Sequence, residues 1–280
     1  ITLNSAAAAY SGSAADLVSA FAGTVTTHTG TVTITDAPTL AQLVTINAET
    51  TGAITLNSAA AAYSGSAADL VAAFAGTVTT HTGTVEITDA LSVANANTID
   101  AATSGVITAT ITDDATDLAT LTGTGNAYTI TLNNDDAATL AELVTINAAT
   151  TGAITLNTST IAANYSGSSA NLVSAFAGTV TTHTGTVTLT DAPTLAQLVS
   201  INAASTGAIT LNTTNGALSG TAANLVLAFA GTVTEHTGVV TVTDAATVAQ
   251  FNTINAETTQ NVVLTGGVSD TAAAYAATNG

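Results

Sequence analysis

Residues 1–37 recur almost verbatim at 54–90, where ITLNSAAAAYSGSAADLV…AFAGTVTTHTGTV.ITDA is copied at 35 of 37 positions. The copies differ only at Ser19/Ala72 and Thr33/Glu86. Self-similarity at a fixed period marks a stacked-repeat architecture, in which each unit buries its apolar face against its neighbours. A chain built by copying one unit is expected to work through its extended surface or its length more than through a single pocket.

Composition narrows the classes further. The chain has no Lys, Arg, Cys, Met or Trp and carries 18 acidic residues. A nucleic-acid binder needs cations to displace phosphate counterions, so that class is excluded. Electrostatic docking on anionic lipid is excluded for the same reason. No apolar run is long enough to span a bilayer, so no membrane insertion is expected, and no charged leader precedes an apolar stretch. The hydrophobic fraction of 46% argues against disorder. Without Cys, no disulfide can staple the fold, and stacking must stabilise it. The chain opens inside a repeat, which suggests a segment of a longer array or a polymerising subunit.

Two kinds of segment alternate. Thr31-Val-Thr-Ile-Thr-Asp36 and Ala53-Ile-Thr-Leu-Asn57 alternate apolar and polar residues and read as short strands. Leu40, Leu43, Val44 and Ile46 have helical spacing. Pro38 precedes that helix and Gly52 follows it. Asp36 ends the strand before the helix and is expected to cap it, as are Asp89, Asp191 and Asp244 in their copies. The strand-end series runs Asn4, Asp36, Asn57, Asp89, Asp113, Asn133, Asn157, Asp191, Asn212, Asp244. Its gaps alternate between short coils and long ones that add a loop, such as Ser58–Gly65 with Tyr63.

The expected fold is an α/β solenoid of about ten strand–helix coils, with a stacked parallel β-sheet on one side and short helices on the other. It covers 1–280 as one continuous repeat domain with a two-coil period of 53 residues and irregular coils at 91–136. Each helix is too short to be stable alone, and an uncapped edge strand is a template for another chain.

Several residues are candidates for chemistry. The histidines share one motif, as in Thr-His28-Thr-Gly and Thr-His81-Thr-Gly, and Glu49 aligns with them in the intervening coil. A His28–Glu49–His81 ladder at strand spacing would suit a divalent metal or a pH-sensitive site; a turn residue copied with its repeat gives the same pattern. The acidic pairs Asp113/Asp114 and Asp135/Asp136 are the best local candidates for Ca²⁺, which takes oxygen ligands, and a solvated coil edge is the alternative. No other cofactor is expected. Asn47, Asn147, Asn202 and Asn255 recur at helix ends and are expected to bond backbone groups in the turn. Tyr10, Tyr63 and Tyr165 share one loop position, which is Leu218 in the fourth copy, suggesting an apolar cover. There is no Cys nucleophile and no carboxylate pair that stands out from the repeat, so no enzyme is expected.

The unit TDAxTLAQLxxINAxTTGAITLN, paired with SGSAADLVxAFAGTVTxHTGTVTxTDA, resembles the repeats of very large bacterial surface and secreted proteins, those of cyanobacteria among them. Residues 36–57 and 191–212 carry the resemblance best. It implies an extracellular or cell-surface location and a role in adhesion, motility or surface layers. The expected function is structural: a surface filament extended by end-to-end or lateral association with copies of itself. The alternative is an adhesin, a Ca²⁺-dependent module that binds a glycan or another surface protein.

Overall fold

The computed structural model describes residues 5–23, 25–133, 136–211 and 216–271. Asn4, Asp135 and Asn212 therefore lie outside the described residues. The protein is a mixed α/β structure with parallel strands, and it divides into two compact units. The first spans Ile1–Thr131 with Ala148–Ala153, the second Leu132–Asn147 with Ile154–Gly280.

In the first unit the order is β1 (Tyr10–Gly12), α1 (Ala14–Ala20), β2 (Val32–Ile34), α2 (Leu40–Ala48), β3 (Ile54–Leu56), β4 (Tyr63–Gly65), α3 (Ala67–Ala73), β5 (Val85–Ala90), α4 (Val93–Ala102), β6 (Ile107–Asp113), α5 (Ala115–Leu118) and β7 (Ala127–Leu132). The second unit holds α6 (Leu140–Ala149), β8 (Ile154–Thr155), α7 (Thr158–Ala162), β9 (Tyr165–Gly167), α8 (Ser169–Ala175), β10 (Val187–Leu189), α9 (Leu195–Ala204), β11 (Ile209–Leu211), β12 (Leu218–Gly220), α10 (Ala222–Ala228), β13 (Val240–Val242), α11 (Val248–Ala256) and β14 (Val262–Leu264). The sheets are small and separate. They run β1-β2-β3 and β4-β5-β6-β7 in the first unit, and β9-β10-β11 and β12-β13-β14 in the second.

One register recurs in them, broken by a shift between Glu86 and Ala90, where Ala90 pairs with Thr110. Tyr10 pairs with Val32 and Val32 with Ile54; Tyr63 pairs with Val85 and Val85 with Ile107. The second unit repeats this as Tyr165, Val187, Ile209 and as Leu218, Val240, Val262. Each step is 22 residues, the difference between those paired numbers. Alternate side chains then fall on the same face in every strand. Val32, Ile34, Ile54 and Leu56 are buried while Thr55 between them is exposed. The helices close the core with Leu17, Leu43, Ile46, Leu70 and Ile99, and in the second unit with Leu172, Leu198, Ile201, Leu225 and Ile254.

Two expectations are corrected. The Ser58–Gly65 segment is not simply a loop, because Tyr63–Gly65 is a strand in register with Val85–Ile87. Tyr favours a strand but Gly disfavours one, and three residues show no alternation to read; pairing with the following coil makes them a strand. The same holds for Tyr10, Tyr165 and Leu218.

The strand-end aspartates do cap helices, but not the ones that follow them. Thr39 caps α2, with Gln42 completing a capping box, and Thr194 and Gln197 do the same for α9. Asp36 instead accepts the Ala14 N–H of α1, 22 residues back in the chain (2.8 Å). Asp89 serves Ala67, Asp191 serves Ser169 and Asp244 serves Ala222 in the same way. A threonine, or Ser92 before α4, already occupies the N-cap of the following helix, so the aspartate satisfies an orphan N–H of the preceding coil.

Candidate functional site

The conspicuous constellation is a buried cluster of three side chains, formed four times. Tyr10, Phe21 and His28 meet in the first, Tyr63, Phe74 and His81 in the second, and Tyr165, Phe176 and His183 in the third. Phe229 and His236 make the fourth, with Leu218 at the tyrosine position. In each, a strand supplies the first residue, the end of a helix the phenylalanine, and the turn leading to the next strand the histidine. His28, His81 and His183 are fully buried and His236 nearly so.

In the first unit every ring nitrogen is bonded. His28 Nδ1 lies 3.1 Å from Thr50 Oγ1, and Nε2 lies 2.7 Å from the Ala8 carbonyl. His81 repeats this with Thr103 and the Ala61 carbonyl. A carbonyl only accepts, so Nε2 carries a proton. Thr50 Oγ1 accepts from the Gly52 N–H and also lies within bonding distance of the His28 carbonyl. Its hydroxyl proton can serve either that carbonyl or Nδ1, so the shell accommodates the neutral ring and the imidazolium. Burial lowers the His81 pKa, and the Ala61 carbonyl pulls it part of the way back.

The second unit differs. Neither ring nitrogen of His183 or His236 forms a hydrogen bond. Burial depresses both pKa values; the carbonyls of Thr160 and Ala163 oppose this at His183, and that of Gly216 at His236, without reaching bonding geometry. Burial raises the Tyr63 hydroxyl, which has no partner, and pushes Tyr165 to about 12 with help from the Glu142 charge.

The structure does not assemble the His28–Glu49–His81 ladder. The residue paired with His28 is Thr50, and Glu49 contributes only its carbonyl, which accepts the His28 N–H. The alignment is displaced by one residue, which turns a side chain to the other face of a strand. Among the described residues, the one group of three or more metal-ligating side chains within 4.8 Å is Asp113, Asp114 and Asp117. The pattern of pairs missed Asp117. Asp114 is the N-cap of α5 and accepts the Asp117 N–H, and Asp113 accepts the Asp114 N–H. Backbone capping accounts for both. Asp136, in the second unit, is exposed, and its carbonyl accepts from Asn157, which caps α7.

The asparagines cross from coil to coil instead of closing their own turns. Asn47 donates to the carbonyls of Ala72, Ala73 and Ala75 at the end of α3. Asn147 serves Ala175 and Ala177, and Asn202 serves Ala228 and Ala230. Asn97, which the INA motif did not reveal, joins α4 to Thr120 and Thr122 after α5. The matching distances from Asn255, 26 and 28 residues at Asn202, run past Gly280.

The groove beside α9 and α10 is lined by Thr194, Leu195, Val199, Ser219 and Asn224, with no carboxylate or imidazole. Among the described residues, no helix is long and apolar enough to cross a membrane. The chain matches no protein-family model, no curated protein and no solved structure.

Proposed function

We propose that this protein is a structural element of an extracellular surface. In this reading the units form one solenoid of stacked strand–helix coils, which spans distance and associates end to end or side by side with copies of itself. The observation that supports it best is the 22-residue parallel register that recurs in each sheet, with a shift between Glu86 and Ala90. A recurring translational step is what lets one coil, or one subunit, stack on another without new chemistry. The histidines, asparagines and aspartates that repeat with the coils have fold-holding partners or lie in buried clusters. The acidic composition without Lys, Arg or Cys suits an exposed setting in which redox chemistry has no target.

Electron microscopy and light scattering of the purified chain across a concentration series test this. Filaments or concentration-dependent oligomers are expected; a dispersed monomer at the highest concentration overturns self-assembly. A melting temperature that rises with calcium and falls with a chelator would favour a calcium-dependent binding module instead.

A further inference from the structure

The ring clusters differ between the units in a way that neither the repeat nor a structural role requires. We propose that the second unit is an acid-sensitive element: the imidazoles of His183 and His236, buried among rings without hydrogen-bond partners, make it open before the first unit as the pH falls below neutrality.

A cation formed at His28 or His81 finds two oxygen acceptors in place, Thr50 Oγ1 with the Ala8 carbonyl, or Thr103 Oγ1 with the Ala61 carbonyl. A cation at His183 faces Tyr165 from β9, Phe176 after α8 and Ser205 across the bridge, with the carbonyls of Thr160 and Ala163 nearby but outside bonding geometry. Glu142 lends its charge to Tyr165 but does not figure among the influences on the imidazole. At His236 the neighbours are Leu218 from β12, Phe229 after α10 and Thr258, with the Gly216 carbonyl nearby but outside bonding geometry. Glu235 and Glu257 adjoin it in the chain and across the bridge, with side chains at the surface or half-buried, and neither charge figures there. An unpaired buried charge is among the most costly states in a protein. Protonation is therefore coupled to opening.

The sign follows from burial. The folded pKa values of His183 and His236 lie below the ordinary 6.5. The unfolded state binds protons first, so the stability they permit is complete above about 6.5 and is lost as the pH falls from there toward the folded values. His81 contributes one such group to the first unit.

Hydrogen exchange of the full chain, read by mass spectrometry after peptic digestion between about pH 7.5 and 5.5, tests this across the histidine range. After correction for intrinsic rates, linkage of two protons raises opening by up to about a hundredfold per pH unit. That slope is expected for peptides from 176–211 and 229–242. Peptides from 74–87 should rise about tenfold at most, the slope of one proton. Equal slopes, or a steeper one in the first unit, overturn the proposal. The double variant His183→Phe, His236→Phe should flatten the slope of the second unit; persistence of the slope overturns it. Should that variant fail to fold, the imidazole proton resonances of the unaltered protein decide. His183 and His236 signals that stay neutral until unfolded signals appear support the proposal, and folded-state titration near the ordinary value refutes it.

Discussion

His81 and His183 stand in the same Thr-His-Thr-Gly motif, behind a tyrosine and a phenylalanine at the same offsets, yet their rings sit differently. In the first unit the imidazole lies against tyrosine, at 25° for Tyr10–His28 and 29° for Tyr63–His81. In the second, His183 is tilted 44° from Tyr165 and lies at 19° to Phe176. Two neighbours have changed. Thr103 has become Ser205, whose hydroxyl accepts from Gly207 and makes no bond to the ring. The segment from Ile154 to Tyr165 is two residues longer than that from Ile54 to Tyr63 and folds into α7, and the counterpart of the Ala61 carbonyl, that of Ala163, does not reach bonding geometry. At His236 the tyrosine itself is lost to Leu218, and Thr258 makes no bond to the ring. A copied motif thus keeps its packing while losing its polar shell, because the shell is built from three separate segments.

The aliphatic lattice should not share this asymmetry. Leu70 and Leu225 hold equivalent positions in α3 and α10, and both are fully buried. Truncation of either to Ala should cost about 2–5 kcal/mol, by lost transfer energy and the cavity left behind. Denaturant melts of the two variants should give similar losses. A loss confined to one unit would show that the units differ in packing and not only in their rings.

A smaller change should make the first unit resemble the second. Thr103→Val keeps the shape but removes the oxygen that His81 Nδ1 and the Gly105 N–H share. The cost should be about 1–3 kcal/mol for the unsatisfied groups. Peptides from 74–87 should then become more labile near the neutral limit of the acid range, as exchange measurements would show. Unchanged exchange there would break the link between shell and acid response.

These contrasts also mark what the sequence could and could not reveal. The strands of Val, Ile and Thr and the Leu40/Leu43/Ile46 helix were legible, since each declares itself by local periodicity. The Tyr63–Gly65 strand was not, because only its neighbour in the next coil makes it one. The role of Asp36 in helix capping was legible but its target was not, since a one-coil displacement leaves no local trace. The ring clusters had a signal that went unread: Tyr10, Phe21 and His28 keep the same offsets in Tyr63, Phe74, His81 and in Tyr165, Phe176, His183. Constant offsets among rare aromatic residues imply a shared site. The loss of the shell at His183 was beyond reach, because it depends on whether a serine hydroxyl and a displaced carbonyl point at a ring.

The asparagine bridges offer a finer test of the same comparison. Asn47 serves three carbonyls after α3, whereas Asn147 serves two after α8. Asn47→Ala and Asn147→Ala should each cost about 0.5–1.5 kcal/mol by thermal melting, the range of a net hydrogen-bond contribution. The loss should be the larger at Asn47. The opposite order would mean that α8 depends on its neighbour more than the bond pattern indicates.

The smallest effect is the most direct. Ser205→Thr adds the methyl that stiffens χ1 and so favours the hydroxyl placement that partners the ring at Thr50 and Thr103. If the missing shell at His183 begins with that side chain, the variant should gain about 0.5–1 kcal/mol, within the range of one net hydrogen bond. Acid exchange around 183–189 should flatten toward the slope of the first unit. If stability and exchange do not move, the two-residue lengthening before Tyr165 is the controlling difference. Shortening the Asn157–Asn164 segment by two residues should then return a carbonyl to Nε2.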